Sequence, residues 1–250
     1  MKRKVLVTGA SSGFGKSIAQ KFAASRDDLF ITGRRVEFLN ELKEELISTY
    51  GVSVTVLVFD VQKREDVLSA LFNNPDLVDL DILVNNAGLA LGRDLFDEAN
   101  MDDWETMIDT NVKGLLYVTK AVLPNFIKRG KGHIINIGST AGKEVYERGN
   151  VYCATKTSVE VLSQAMRIDL LRHKIKVTVV HPGAADTEFS IVRFKGNEEK
   201  AKSVYDGYTP LYADDVADTV HYCANLPEHV CINSLVMTCT AQANSMYLFK

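Results

Sequence analysis

A tyrosine and a lysine four positions apart, Tyr152 and Lys156, form the pair of residues with the most evident chemistry in this chain. Residues at this spacing share one face of a helix, so the two side chains can meet. An unperturbed phenol has a pKa of about 10, and a neighbouring ammonium group favours the phenolate and lowers that pKa. The pair could therefore exchange a proton with an alcohol or a carbonyl group. The same spacing also arises by chance between a packed ring and a solvated amine, so the interpretation depends on the rest of the chain.

The composition is ordinary for a soluble globular protein, with 46% hydrophobic and 24% charged residues. A length of 250 residues fits a single α/β domain with a large core. The formal net charge of −3 and the lack of a basic block argue against nucleic acid and against an anionic membrane surface as partners. No stretch is long enough and apolar enough to span a bilayer. We therefore expect neither a nucleic-acid nor a membrane partner.

The cysteines and the amino-terminal segment bear on the location of the protein. The four cysteines have no metal-site spacing, so no metal centre is predicted, and we expect reduced thiols. Residues 1–7 are basic and then apolar, but Thr8 and Gly9 interrupt the apolar run, which has no cleavage-like site. The sequence therefore predicts a first strand here, not a signal peptide, and a cytoplasmic protein.

Short β-rich runs alternate with longer runs that have the spacing of helices. Strands are predicted over residues 4–8, 29–32, 52–59, 81–84, 133–137, 176–180 and 232–237. Helices are predicted over residues 13–25, 36–50, 64–72, 104–123, 151–171 and 214–225. This alternation predicts right-handed crossovers and a parallel sheet covered by helices on both faces. Residues 184–211 are the least regular stretch and follow a strand end, where a loop that covers a substrate would lie.

A glycine-rich turn, residues 8–15 (TGASSGFG), follows the first predicted strand and opens the first predicted helix. Glycines permit a tight bend and close approach of the backbone to a pyrophosphate, while the helix amino terminus offers free N–H groups with partial positive charge. Small residues are also common wherever a strand and a helix cross closely. The context within the first βα unit favours a dinucleotide site. Its predicted contacts are Gly9, Ser11, Ser12, Gly13, Phe14 and Gly15.

The end of the second predicted strand carries two arginines, Arg34 and Arg35, in the stretch 30–35 (FITGRR). A site selective for NAD usually has an acidic residue here that binds the ribose 2′-hydroxyl, and this strand end has none. Guanidinium groups suit a 2′-phosphate instead. Two solvated arginines at a helix start are the alternative. The pattern predicts NADP(H) as the cofactor.

Two further strand ends complete the predicted cofactor site. Asp60 and Val61 would hold the adenine, although Asp60 could equally cap the next helix. The run Asn85-Asn86-Ala87-Gly88 would let the chain pass close to the adenine ribose through Asn86, Ala87 and Gly88. Asn and Gly are also common turn formers, so an ordinary turn is the alternative.

Taken in order, these motifs resemble the short-chain dehydrogenase/reductase family over nearly the whole chain. The matching segments are Thr8-Gly9-x-x-x-Gly13-x-Gly15, Asn86-Ala87-Gly88, Asn111, Ser139, Tyr152-x-x-x-Lys156 and Pro182-Gly183. The resemblance implies one Rossmann-type domain over residues 1–250, a doubly wound parallel sheet of about seven strands. Its cofactor half would cover roughly 1–140 and its catalytic and substrate half roughly 141–250. Residues 85–92, 103–111, 133–142, 187–190, 192–194 and 230–233 more narrowly resemble bacterial NADP-dependent 3-hydroxy acid dehydrogenases.

The resemblance implies roles for four polar residues. Tyr152 would exchange the substrate proton, and Lys156 would lower the phenol pKa and bind the nicotinamide ribose. Ser139 would hydrogen-bond the substrate oxygen, and Asn111 would hold a water in a proton relay to Lys156. A turn cap for Ser139 and a buried amide for Asn111 are the structural alternatives.

The same resemblance extends to the nicotinamide and the substrate. Pro182 and Gly183 would close over the nicotinamide, and Thr187 would bond its carboxamide. A substrate carboxylate needs a cationic partner. Arg193 and Arg148 are the preferred candidates among four cations, which also include Lys143 and Lys195.

The expected activity is hydride transfer between NADP(H) and a small 3-hydroxy acid such as serine, allo-threonine or 3-hydroxypropionate, by a homotetramer. A reductase of another carbonyl, such as a 3-oxoacyl thioester or a bulky ketone, is the first alternative. A non-catalytic dinucleotide sensor is the second. The sensor is disfavoured because such proteins usually lose the Tyr/Lys pair, which this chain retains.

Overall fold

Seven strands alternate with helices along residues 2–250, the part of the chain that the computed structural model describes. The strands are β1 (Lys4–Val7), β2 (Asp28–Gly33), β3 (Val54–Val58), β4 (Ile82–Asn85), β5 (Gly132–Ile137), β6 (Ile175–Pro182) and β7 (Ser234–Met237). The helices are α1 (Gly13–Ala24), α2 (Val36–Tyr50), α3 (Arg64–Leu71), α4 (Met101–Ile108), α5 (Leu115–Arg129), α6 (Asn150–Leu170), α7 (Glu188–Arg193), α8 (Glu198–Ser203) and α9 (Ala213–Ala224).

All strands are parallel and lie in the order β3-β2-β1-β4-β5-β6-β7. The chain starts in the middle of the sheet, builds outward to β3, and then returns to the other side of β1 through β4. In such a sheet a crevice forms at the carboxyl ends of the strands where the strand order reverses, here between β1 and β4. The predicted single-domain Rossmann-type fold with a seven-stranded parallel sheet is confirmed.

The alternating directions of strand side chains divide the core into two layers. Val5 and Val7 pack with α1, α2 and α9 on one face of the sheet. Leu6, between them, packs with α3, α5 and the end of α6 on the other face. Both faces are thus covered, which explains why the central strands are apolar almost throughout.

The helix predicted over residues 104–123 is longer than its pattern indicated. It begins at Met101, because the Asn100 side chain accepts hydrogen bonds from the first-turn amides of Asp102 and Asp103. A π-helical segment, Asp109–Gly114, joins α4 to α5. The helix then continues through Pro124 to Arg129 and ends at Gly130, whose φ of 62° lies in the left-handed region.

The stretch 184–211, predicted as irregular, contains the two short helices α7 and α8. Helix α7 starts at a local cap, because the Thr187 hydroxyl accepts from the amide of Phe189. None of the helices in residues 2–250 has both the length and the apolar character needed to cross a membrane.

Candidate active site

A cleft of about 380 Å³ opens at the carboxyl ends of strands β1 to β6. Each of these strands contributes residues from its end or from the loop that follows it, as the strand order predicts. The cleft contains 15 of the predicted cofactor residues: Gly9, Ser11, Ser12, Gly13, Phe14, Arg34, Arg35, Asp60, Val61, Asn86, Ala87, Gly88, Tyr152, Lys156 and Thr187.

Gly15, Pro182 and Gly183 were also predicted to contact the cofactor but do not line this cleft. Gly15 lies where α1 crosses the first turn, and a Cβ there would collide with the Gly9 carbonyl oxygen. Gly183 is held instead to the last strand, because its amide donates to the Met237 carbonyl at 2.8 Å. Close packing requires a small residue at both glycines, against the Gly9 backbone at Gly15 and against the Gln242 side chain at Gly183. The cofactor contacts of Gly15, Pro182 and Gly183 stay predictions.

The first turn is arranged to receive an anion. Gly9 has a φ of 65°, a left-handed conformation that glycine adopts without strain. Ser12 precedes α1 but makes no side-chain hydrogen bond to its first-turn amides, and that turn carries no acidic residue. The amide groups and the positive end of the helix therefore remain available to a phosphate group.

Arg35 and Arg34 stand at the edge of the cleft beside this turn. The Arg35 guanidinium donates to Ser11 Oγ at 3.1 and 3.2 Å and to Ser12 Oγ at 2.7 Å. It also pairs with the Glu188 carboxylate at 3.0 Å. Arg34 is more exposed and lies 3.6 Å from the Asp60 carboxylate. Two guanidinium groups and two hydroxyls thus surround the place where a ribose phosphate would be recognised.

Asn86 lines the cleft and also binds the backbone of the glycine-rich turn. Its Nδ2 donates to the carbonyl oxygens of Thr8 and Gly9 at 2.9 and 3.1 Å. The Thr8 hydroxyl in turn accepts from the amides of Asn86 and Ala87, both at 3.0 Å. These hydrogen bonds fix the loop after β4 against the glycine-rich turn, so the two segments form adjoining walls of the cleft.

Lys156 and Tyr152 project from one face of α6 into the end of the cleft, and both are buried. The Lys156 ammonium donates to the Ile137 carbonyl at 2.9 Å, and burial lowers its pKa to about 8. The sequence predicted a lowered pKa for Tyr152, and that prediction is wrong. Burial raises the pKa of the phenol, and interaction with the Ser139 hydroxyl and the Arg193 charge offsets only part of the rise.

Asn111 lies in the π-helical segment and is almost completely buried. Its amide exchanges hydrogen bonds of 2.8 Å with the backbone of Leu89 and donates to Thr155 Oγ1 at 3.0 Å. A Cβ built on Gly88 would lie 3.2 Å from Asn111 Oδ1 and 3.4 Å from Lys156 Nζ. The structure therefore brings Asn111 and Lys156 together around Gly88, at a π-helical insertion of the kind often found at functional sites.

Ser139 follows Gly138, which lines the cleft at the end of β5. Its hydroxyl accepts from the amide of Ala141 at 3.1 Å and caps the short turn Thr140–Gly142. The hydroxyl is also near enough to the phenol to lower the pKa of Tyr152. The Ser139 hydroxyl thus caps the turn and also lies beside the Tyr152 phenol, since one hydroxyl can accept one hydrogen bond and donate another.

A smaller cavity adjoins Tyr152, and both preferred carboxylate partners, Arg148 and Arg193, line it. The guanidinium of Arg193 lies 5.6 Å from the centre of the Tyr152 ring and 5.7 Å from that of Tyr146. Its Nη2 donates to the Tyr146 hydroxyl at 3.1 Å, and its Nε to the Gly92 carbonyl at 3.3 Å. These bonds hold Arg193 beside the Tyr152 phenol and use two of the five N–H donors of its guanidinium group, so the others can bind a carboxylate.

The two other cations near the site that could bind a substrate carboxylate, Lys143 and Lys195, have acidic partners. Lys143 pairs with Glu160 at 3.1 Å, and Lys195 pairs with Asp103 at 2.8 Å. The structure therefore favours the arginines over the lysines.

Phe189, within the stretch 187–190 that carries the narrower resemblance, packs against Tyr152 with ring centres 5.7 Å apart. Two residues in and near the site, Gln62 and Glu160, were not found from the sequence. Gln62 donates to Thr110 Oγ1 at the wall of the cleft. Glu160 follows Lys156 at the same spacing that links Tyr152 to Lys156, a signal that was available in the sequence. Within residues 2–250, no group of three or more His, Cys, Asp or Glu side chains could hold a metal ion.

Comparison with known proteins places this arrangement among characterised relatives. A family model described as short chain dehydrogenase matches residues 3–198. The chain is 47% identical over 241 residues, 96% of each chain, to an NADP-dependent 3-hydroxy acid dehydrogenase of Escherichia coli strain K12. It is 44% identical over 237 residues, 94% of this chain and 93% of the relative, to a serine 3-dehydrogenase of Rhizobium radiobacter. A solved structure, the closed form of serine dehydrogenase complexed with NADP+, superposes with a TM-score of 0.92 at 46% identity and 97% coverage of both chains.

Proposed function

The chain belongs to the short-chain dehydrogenase family of oxidoreductases, and we propose that it transfers hydride between NADP(H) and a small 3-hydroxy acid such as serine, allo-threonine or 3-hydroxypropionate. One observation carries the proposal. A single cleft runs from Arg34 and Arg35 to the buried Tyr152 and Lys156, and Tyr152 also faces a second cavity lined by Arg193.

The residues of the cleft fit NADP(H). The free amides at the start of α1 would bind the pyrophosphate, and Arg34, Arg35 and Ser11 would bind the 2′-phosphate. Thr32 accords with the same fit, because it lines the cleft and its buried hydroxyl has no hydrogen-bond partner. When bound, the cofactor would supply the hydride for reduction or accept it during oxidation.

Protein side chains would handle the proton. In oxidation Tyr152 would accept the substrate hydroxyl proton, and in reduction it would return it. Ser139 would hydrogen-bond the same substrate oxygen and stabilise the negative charge that develops on it. Lys156, charged and fixed to Ile137, would favour the phenolate, and Asn111 would connect Lys156 to a relay of protons.

Arg193 is the proposed partner of the substrate carboxylate. It lies beside the Tyr152 ring and is held there by Tyr146 and Gly92. A 3-hydroxy acid places its carboxylate two bonds from the carbinol carbon, so the two groups must be recognised close together. Arg148 lines the same cavity and is the second candidate.

The decisive experiment is a screen of NADP+ reduction by the purified protein. L-serine, D-serine, both threonine diastereomers, 3-hydroxypropionate and 3-hydroxyisobutyrate would be compared with a panel of bulky alcohols. We expect turnover of one or more hydroxy acids with a strong preference for NADP+ over NAD+. Activity on bulky alcohols alone would point to a different carbonyl substrate, and cofactor binding without any turnover would contradict the enzymatic assignment.

We also propose a homotetramer in the cytoplasm. Val161 and Ile168 on α6 and Leu171 just beyond it are more than half exposed, as expected of an apolar face that covers a subunit contact. The four cysteines are free thiols, which accords with a reducing compartment. Light scattering of the purified protein tests the assembly, and a monomer at micromolar concentration would contradict it.

A further inference from the structure

Two buried residues, His181 and Glu160, connect Ser139 to the helix that carries Tyr152 and Lys156. His181 precedes the last residue of β6 and is completely buried. Its Nδ1 lies 3.2 Å from the Ser139 amide nitrogen and 3.0 Å from the Ser139 carbonyl oxygen, and its Nε2 lies 2.6 Å from the Glu160 carboxylate. Glu160 is one turn beyond Lys156 on α6, so one face of this helix carries Tyr152, Lys156 and Glu160.

Several donors hold the Glu160 carboxylate. Gln164 donates to Oε1 at 2.7 Å, and Lys143 donates to Oε2 at 3.1 Å. Burial opposes ionisation of this carboxyl, but the hydrogen bonds from Gln164, His181 and Lys143 outweigh it and lower the pKa to about 2. Glu160 is therefore a carboxylate at neutral pH and accepts a hydrogen bond from the protonated Nε2 of His181.

This carboxylate determines the tautomer of His181. Burial lowers the pKa of the imidazole, and the Glu160 carboxylate and the Ser139 carbonyl, which would stabilise a charged ring, offset only part of the fall, so the ring is neutral at neutral pH. A neutral imidazole has one N–H, and that N–H is on Nε2 because Glu160 can only accept. Nδ1 then carries a lone pair, so of its two Ser139 neighbours it accepts from the amide N–H and gives no hydrogen bond to the carbonyl oxygen.

The ring also has no room to shift. A Cβ built on Gly138 would lie 2.5 Å from His181 Nδ1 and 2.7 Å from its Cε1, so the imidazole packs directly on the Gly138 backbone. A bulkier residue at position 138 would push the ring away from Ser139. The contact thus ties β5, β6 and α6 together at the residue next to the cleft.

We propose that His181 and Glu160 are positioning residues for the reaction: Glu160 fixes the His181 tautomer, and His181 fixes the Ser139 backbone so that the serine hydroxyl and the Tyr152 phenol meet one substrate oxygen. The inference rests on the proposed function of Ser139. Neither His181 nor Glu160 lines the cleft, so both residues would act through Ser139.

Two substitutions at position 181 separate positioning from packing. In His181→Gln the side-chain amide can still reach Glu160, but no acceptor remains at the Nδ1 position. In His181→Asn the amide oxygen can accept the Ser139 N–H while the contact with Glu160 is lost. We expect kcat to fall at least tenfold in the glutamine variant, since a misplacement of about 1 Å can reduce rate about a hundredfold. The asparagine variant should retain more of kcat, and KM for NADP+ should change little in either.

The matched control is His133→Gln, which alters another buried histidine, on β5, whose Nε2 contacts Thr178 and not the site. It should keep the kcat of the wild-type protein even if its Tm falls. If kcat falls in proportion to Tm in all three variants, the loss reflects stability alone, and the positioning role of His181 is refuted.

A double substitution tests whether His181 acts through Ser139. Adding His181→Gln to Ser139→Ala should reduce kcat no further, because the group being positioned is already absent. Additive losses would overturn the inference, as would wild-type kcat in the single glutamine variant. If position 181 tolerates no substitution, Glu160→Gln provides the same comparison in both backgrounds. Wild-type kcat in Ser139→Ala itself would contradict the proposed role of Ser139, an outcome distinct from failure of the positioning pair alone.

Discussion

Arg35, at the amino end of α2, and Glu188, the first residue of α7, form an ion pair of 3.0 Å that joins two walls of the cleft. The same guanidinium binds the hydroxyls of Ser11 and Ser12 in the glycine-rich turn. Both partners of the ion pair are partly exposed, so the pair contributes only about 0–1 kcal/mol to stability. Its greater consequence is for the cofactor, because a 2′-phosphate must share Arg35 with the Glu188 carboxylate.

Replacing Glu188 with glutamine should therefore strengthen the binding of NADPH. Removal of the competing negative charge favours the 2′-phosphate, and the gain should be at most about fivefold, the size of an exposed ion pair. NADH, which lacks that phosphate, should bind unchanged. Fluorescence titration of both cofactors measures the difference, with Glu198→Gln on the exposed pair with Lys202 as the control. Weaker binding of NADPH would show instead that Glu188 holds Arg35 in its productive position.

The arginines themselves should decide cofactor preference. Substitution of Arg34 and Arg35 by alanine removes both guanidinium groups from the phosphate site, and a hydrogen bond to a charged group contributes about 1.5–3 kcal/mol. NADPH binding should weaken roughly 10- to 100-fold, and NADH binding should change far less. Arg172→Ala, an exposed arginine beyond the end of α6, is the matched control. Equal losses for the two cofactors would refute the assignment of the 2′-phosphate site.

Tyr152→Phe should abolish turnover while NADPH still binds. The substitution keeps the ring that packs against Phe189 and removes only the hydroxyl that exchanges the proton. General acid–base catalysis contributes about 10²- to 10⁴-fold, so kcat should fall within or beyond that range. Tyr222→Phe, at an exposed tyrosine of α9, controls for loss of a phenol elsewhere. Near-normal turnover of the Tyr152 variant would exclude the proposed mechanism.

Arg193→Ala should discriminate acids from neutral alcohols. If the guanidinium binds the substrate carboxylate, kcat/KM for 3-hydroxypropionate should fall about 10- to 100-fold, as expected for a lost charge-assisted bond. The methyl ester of the same substrate has no carboxylate charge and should lose much less. Lys195→Met removes a nearby cation that is already paired with Asp103 and should leave both values unchanged. Equal losses for acid and ester would assign Arg193 a structural role and leave Arg148 as the carboxylate partner.

The parallel sheet and most of the cleft could be predicted because each depends on patterns within short segments, whereas the order of the strands appears only in the assembled chain. The four-residue spacing of Tyr152 and Lys156 is a property of one helix, and the glycine-rich turn belongs to one βα unit. The pKa of Tyr152 could not be predicted in the same way. Its direction is set by burial among α6, α7 and the segment around Tyr146, which only the assembled chain reveals.

Contacts between distant segments account for the other differences. His181, Glu160 and Lys143 come from β6, α6 and the loop after β5, and no local pattern announces that they meet. Pairing with Glu160 is also why Lys143, a plausible carboxylate partner by charge alone, is engaged elsewhere. The π-helical segment around Asn111 likewise escapes a search for helical spacing, because one inserted residue changes which side chains face the site.

A buried histidine outside the site should give the protein a measurable dependence of stability on pH. His133 on β5 is buried, with its Nε2 2.8 Å from Thr178 Oγ1 and its Nδ1 without a partner. Burial, followed by the charges of Lys176 and Arg3, lowers its pKa from 6.5 to about 3. Between these two values the unfolded chain binds a proton that the folded chain does not, so the free energy of unfolding rises with pH.

Stability should therefore fall as the pH is lowered through 6.5, at about 1.4 kcal/mol per pH unit from this residue, until the folded imidazole protonates. His133→Gln cannot titrate, and its amide can still bond Thr178. Urea denaturation at several pH values measures the free energy of unfolding of both proteins. The wild-type value minus the variant value should increase as the pH rises from 5 to 6.5. His229→Gln, at an exposed histidine, should show no such trend. A wild-type-minus-variant difference that stays constant over this pH range would mean that His133 titrates equally in the folded and unfolded chains.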